Sequence, residues 1–237
     1  YDPGMAGGGR EIAERLAEVR GRIAAAAARS GRRHEEVLLV AVSKTAAAPA
    51  VAAAIAAGQR VFGENRVQEA AAKAADCGPG AAWHLIGHLQ RNKAKAAARL
   101  FEVVESLDSR ELAAELDRRA QEEGRRLRVL VQVRVGDEPT KSGVLPQAAP
   151  ALIAAAARLP NLELAGLMAI PPPSAAPEDS RRWFALLREL RERWDGACCA
   201  RGTLRELSMG MSADYEAAVE EGATIVRVGS VIFGPRS

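Results

Sequence analysis

Eight short apolar runs punctuate this chain, at residues 37 to 43, 60 to 63, 83 to 87, 101 to 106, 128 to 135, 162 to 168, 204 to 208 and 224 to 228. Runs of this length, rich in Val, Leu and Ile, predict strands buried on both faces. Between them lie stretches rich in Ala, Leu and charge, for example Ser109 to Glu123 and Glu178 to Trp194, which predict helices. Ahead of the first run, Ile12, Leu16, Val19 and Ile23 recur at helical spacing and predict an amphipathic helix ending near Ser30-Gly31. Eight strands alternating with helices point to an α/β fold, a single closed (β/α)8 TIM barrel with an added N-terminal helix, rather than an open sheet. Pro171-Pro172-Pro173 then reads as a stiff loop after strand six, because the alternation continues past it.

Length agrees with one domain: 237 residues is close to the roughly 250 of a typical barrel. We expect residues 10–237 to form it. Residues 1–9, with Tyr1-Asp2-Pro3-Gly4 ahead of Met5 and then Gly7-Gly8-Gly9, read as a tag remnant and a disordered start. Aromatic residues are only 4%, so the core must be built from aliphatic side chains against alanine-faced helices. The formal charge is +3, with 33 basic residues dispersed among 30 acidic ones, and this gives no footprint for nucleic acid. Three cysteines, Cys77, Cys198 and Cys199, have neither metal-ligand spacing nor an even count, which suits a reducing, cytoplasmic setting and predicts no metal. No apolar stretch is long enough for a membrane span, and no secretory pattern opens the chain.

Barrels keep their chemistry at the carboxyl ends of the strands. The first ends in Ser43-Lys44-Thr45, the second in Gly63-Glu64-Asn65, and the third in Trp83-His84-Leu85-Ile86-Gly87-His88. The fourth offers Ser106 and Asp108, the fifth the loop from Gly136 to Gly143, and the sixth Met168. The seventh runs into Ser208-Met209-Gly210-Met211-Ser212, and the eighth into Arg227-Val228-Gly229-Ser230. A partly desolvated lysine near other positive charge becomes a nucleophilic amine that can form a Schiff base with an aldehyde. Loops after strands seven and eight often bind phosphate through backbone amides, and Ser212 and Ser230 add hydroxyl donors. A phosphate site opposite an aldehyde-capturing Lys44 suggests pyridoxal 5′-phosphate (PLP).

These segments carry a resemblance. Val42-Ser43-Lys44-Thr45, Phe62-Gly63-Glu64-Asn65-Arg66-Val67-Gln68-Glu69, the run from Trp83 to Lys93, and Gly166-Leu167-Met168-Ala169-Ile170 resemble the motifs of the YggS/PROSC family of pyridoxal phosphate homeostasis proteins. Thr140-Lys141-Ser142-Gly143, the run from Leu207 to Asp214 and the run from Arg227 to Gly234 match as well, so the likeness covers roughly residues 10 to 236. It implies a fold-type III PLP-binding barrel like the N-terminal domain of alanine racemase, serving intracellular PLP homeostasis as a carrier or regulator. Lys44 would hold PLP as a Schiff base, Arg227 would face the pyridine nitrogen, Ser212, Gly229 and Ser230 would hold the phosphate, and Asn65 would lie beside the ring. With His84, Met168, Ser208 and Met211 from the other strand ends, these make up the expected site. Arg66 and Arg91 depart from the family pattern at the rim.

Chemistry narrows the function. An arginine cannot accept a proton from a pyridinium, so a ring nitrogen facing Arg227 stays neutral and is a weak electron sink. Racemisation would further need an acid/base group on each face, and Tyr215, the tyrosine outside the N-terminal segment, belongs to a helix where packing explains it. We therefore expect binding and transfer without robust turnover, with PLP-dependent apo-enzymes as acceptors and a monomeric protein. The alternatives are a racemase-like enzyme, a barrel enzyme whose Lys44 attacks a phosphorylated carbonyl substrate, and, last, an interaction module using dispersed basic residues. Each residue also has an ordinary reading: Asn65 as a helix cap, Gly210 and Gly229 as turn glycines, and His84 and His88 as structural side chains, one pointing inward and one outward. Lys141 is a candidate second amine for ligand release.

Overall fold

The computed structural model describes residues 3–136, 142–172 and 176–234. Lys141, with its neighbour Thr140, lies outside the described residues. The strands are β1 (Leu38–Val42), β2 (Val61–Glu64), β3 (Ala82–Leu85), β4 (Val103–Leu107), β5 (Leu127–Gln132), β6 (Leu162–Met168), β7 (Glu206–Ser208) and β8 (Ile225–Val228). They close in sequence order into a parallel barrel, β8 pairing with β1 through Leu38 to Ala41 against Ile225 to Val228. The helices are α1 (Pro3–Arg29), α2 (Ala48–Ala56), α3 (Val67–Cys77), α4 (Ala94–Leu100), α5 (Arg110–Glu122), α6 (Ala149–Ala156), α7 (Arg181–Trp194), α8 (Tyr215–Glu220) and α9 (Ser230–Phe233). The predicted (β/α)8 barrel with its leading helix is the observed fold.

Period-two alternation sorts each strand between two cores. On β8, Val226 and Val228 join the layer between sheet and helices, while Ile225 joins Val40, Val103, Leu130, Ala165 and Met168 inside the barrel. Arg227, two residues beyond Ile225, therefore points inward. Inside β1 the same phase runs from Val40 to Val42 and on to Lys44 at the mouth. Sequence spacing thus places an amine at the barrel mouth and a guanidinium one layer below it.

Helix α1 covers the closing seam, packing on α2, α8 and α9. Ile12, Leu16, Val19 and Ile23 are all buried, as their spacing predicts. Around this apolar stripe, Arg22 reaches Glu216 at 2.5 Å, Arg29 reaches Glu220 at 2.7 Å, and Arg32 donates to the Ala223 carbonyl at 2.9 Å. The helix already begins at Pro3, so Gly7 to Gly9, expected as a flexible lead, are helical. Continuation of an existing helix costs far less than its nucleation, and this carries the turn through three poor helix formers. Among the described residues no helix is long and apolar enough to cross a membrane.

Candidate functional site

A cavity of about 480 Å³ opens at the carboxyl ends of the strands. Seven of the ten expected residues line it: Lys44, Asn65, Met211, Ser212, Arg227, Gly229 and Ser230. Each follows from a strand's inward phase or from the turn after it. Thr45, Gln132, Ser142 and His88 complete its polar wall, and Val42, Ile86, Ile170 and Phe233 its apolar one. Among the described lining residues none is a carboxylate, so the wall favours an anion.

The remaining three expected residues sit elsewhere. His84, Met168 and Ser208 are buried in the barrel interior and do not line this cavity. Met168 packs with Val40, Val103 and Leu130, filling the barrel one layer down. His84 and His88, expected to alternate along one strand, do not, because β3 ends at Leu85 and His88 lies in the loop beyond it. His84 is 5% exposed inside the barrel, while His88 stands at the mouth, 3.1 Å from Asp108.

Below the mouth lies a polar layer in which three of the expected residues, Arg227, Ser208 and His84, meet a fourth, Glu105, that the strand ends do not name. Arg227 Nη1 donates to Ser208 Oγ at 2.5 Å, and Nη2 donates to the Ala169 carbonyl at 2.9 Å. Ser208 Oγ donates to Glu105 Oε2 at 2.5 Å, and His84 Nδ1 meets Glu105 Oε1 at 2.7 Å. Burial by itself pushes the Glu105 carboxyl up, but the hydrogen bond and charge of His84, with Arg227 and Ser208, outweigh it and leave its pKa below the ordinary value. Burial pushes the Arg227 guanidinium down, against the charges of Glu105 and Asp214. The signal in the sequence is a glutamate inside the run Val103-Val104-Glu105-Ser106-Leu107, since a buried carboxylate requires partners.

The rim after β7 and β8 is fixed by short-range chemistry. Asp214 accepts the Met211 amide at 2.7 Å, curling the loop over the mouth. Gly210 has φ +89°, and a Cβ there would lie 2.5 Å from that of Ala218, so close packing of α8 and the left-handed backbone both require glycine. Gly229, which lines the cavity, also closes the seam between β8 and β1. Its amide donates to Ser212 Oγ at 3.0 Å, and a Cβ would come within 3.0 Å of the Val42 carbonyl, so it keeps β8 close to β1 and holds the Ser212 hydroxyl. Helix α9 starts immediately after it, and the amides of Ser230 and Val231 occupy the opening turn, where no intrahelical acceptor exists. Tyr215 lies outside the cavity, buried beside α1 with Arg22 over its ring at 5.6 Å.

Fold and site together define a small-molecule-binding barrel with a lysine at the end of its first strand and donor groups after its last two. The alanine racemase N-terminal domain matches residues 15–237. The pyridoxal phosphate homeostasis protein of Pseudomonas aeruginosa is 46% identical over 226 residues, covering 95% of this chain and 96% of its own. The Escherichia coli K12 protein of the same name is 44% identical, with coverage of 95% and 97%. PipY of Synechococcus elongatus PCC7942, solved with PLP bound, superposes with a TM-score of 0.82 at 41% identity, covering 94% of this chain and all of that one. The chain belongs to the pyridoxal phosphate homeostasis protein family, built on the alanine racemase N-terminal domain fold.

Proposed function

We propose that this protein binds pyridoxal 5′-phosphate at the barrel mouth and serves cellular PLP homeostasis as a carrier. The observation that carries the reading is that Lys44 and the chain ends after β7 and β8 line one cavity. Its volume of about 480 Å³ suits a small ligand, and its donors fit an anionic aldehyde. When bound, PLP supplies an amine-reactive aldehyde and a ring able to take up negative charge.

The chain's own groups divide the work. Lys44, half-buried, supplies the amine that holds the aldehyde. Ser212, Ser230 and the opening amides of α9 would hold the phosphate, and Asn65 would border the ring. Arg227 would donate to the ring nitrogen and, being always protonated, keep it from acquiring a proton. That restriction disfavours turnover, as does the position of Tyr215 away from the cavity. We read the protein as a monomer, with apo-enzymes as the receiving partners. Free Cys77, Cys198 and Cys199 support a reducing, cytoplasmic setting.

Titration with PLP tests this. Wild-type protein should gain a saturable visible absorption band and Lys44→Ala should not. A protein that stays colourless with PLP yet traps a phosphorylated aldehyde substrate on borohydride treatment would return the barrel-enzyme reading.

A further inference from the structure

Arg227 does not stand alone beneath the cavity floor. Its guanidinium donates to the Ser208 hydroxyl, which donates to Glu105, whose other oxygen meets His84. All four side chains are buried, and Arg227 Nη1 lies 3.8 Å from Glu105 Oε2. Because ionised Glu105 can only accept, His84 Nδ1 must be the donor of that contact. The chain crosses the barrel: Arg227 lines the cavity at the carboxyl ends, and His84 lines a smaller one, about 200 Å³, with Arg128 and Glu206 at the opposite mouth.

Packing does not require this layer to be polar. Just below it, Val40, Val103, Leu130 and Ile225 fill the barrel with aliphatic groups. A buried ion pair is generally no more stabilising than an apolar pair of similar volume. What Glu105 adds is a fixed guanidinium plane and a compensated charge at the one cation of the floor that cannot lose its proton.

We infer that Glu105, Ser208 and His84 are positioning residues that act through Arg227 on the ring of the bound ligand. They hold the guanidinium in the orientation that meets the ring nitrogen and attenuate the positive charge presented to it. The inference rests on the PLP reading above. Each link in the chain donates toward the carboxylate, so the contacts reinforce one another, and losing the anion loosens Arg227 as a whole.

A double-mutant cycle in the full chain tests this, using Glu105→Gln, Arg227→Gln and their combination, with PLP affinity and the visible band of the bound ligand as readouts. Glu105→Gln should weaken PLP binding on the order of tenfold and move the band, and both effects should vanish in the Arg227→Gln background. An unchanged band and affinity in Glu105→Gln, or equal effects in both backgrounds, would overturn the inference in favour of a purely structural carboxylate. Should Glu105→Gln fail to fold, Ser208→Ala enters the same cycle with the same two outcomes. Wild-type protein that takes up no PLP would instead remove the ligand reading, and this inference with it.

Discussion

Lys73 and Glu64 form an ion pair at 2.6 Å beside the end of β1, and both of them hold Ser43, the residue before Lys44. The Ser43 hydroxyl donates to Glu64 at 2.6 Å, and the Lys73 ammonium donates to the Ser43 carbonyl. Glu64 is fully buried and the Lys73 side chain is 12% exposed, so water screens this pair poorly. The lysine that the family motif carries is thus anchored by its neighbour's hydroxyl and carbonyl together.

Removing the cation should be expensive. Lys73→Met leaves a buried carboxylate without its counter-charge and should cost on the order of 3 kcal/mol. In a chain of this size that lowers Tm by roughly 6–12 °C. Adding Glu64→Leu should recover much of the loss, because an apolar pair removes the orphaned charge. Calorimetry of the three proteins checks this; a Lys73→Met variant that melts with wild type would show that the pair anchors nothing.

Glu105 gives a pH signature. Its pKa in the folded protein lies below the ordinary value, because His84, Arg227 and Ser208 outweigh the opposing effect of burial. A depressed carboxylate contributes stability in full above its unfolded pKa of about 4.3, and loses that contribution as pH falls through the folded value. The difference in urea midpoint between wild type and Glu105→Gln should therefore be widest near neutrality and close in acid below about pH 4. A gap that is constant across that range would contradict the assignment of charge to Glu105.

Two glycines with positive φ should respond differently to the same change. Gly124 has φ +63° with nothing within 4 Å of a Cβ, so Gly124→Ala should cost only the left-handed penalty, about 1–2 kcal/mol. Gly210→Ala adds a collision with α8 and should cost roughly 2–5 kcal/mol in all. It should also weaken ligand binding, since the Gly210 carbonyl accepts the Arg227 amide at 3.0 Å. Urea titration and PLP affinity of both variants give the comparison; equal costs would remove the packing argument.

The barrel was legible because buried parallel strands announce themselves as apolar runs, and all eight runs became strands with ends moved by a few residues. Those ends depend on pairing partners, which local sequence does not specify. Lys44 and Ser212 are legible at the strand ends, whereas Asn65 and Arg227 are singled out by the family resemblance. Of the layer beneath, Glu105 alone is not legible in this way, because the fourth strand's end offers Ser106 and Asp108 beyond it. Inward and outward positions look alike in a strand buried on both faces, so only closure of the barrel shows that Glu105, Ser208, His84 and Arg227 meet. The close approach of Gly229 to Val42 is hidden for a related reason: it exists only once β8 lies against β1.

The most direct measurement is borohydride reduction of the PLP-treated chain, followed by mapping of the modified peptide by mass spectrometry. The account predicts one pyridoxyl group, carried by Lys44. A chain left unmodified, or modified chiefly at Lys73, Lys93 or Lys95 while Lys44 stays bare, would contradict it.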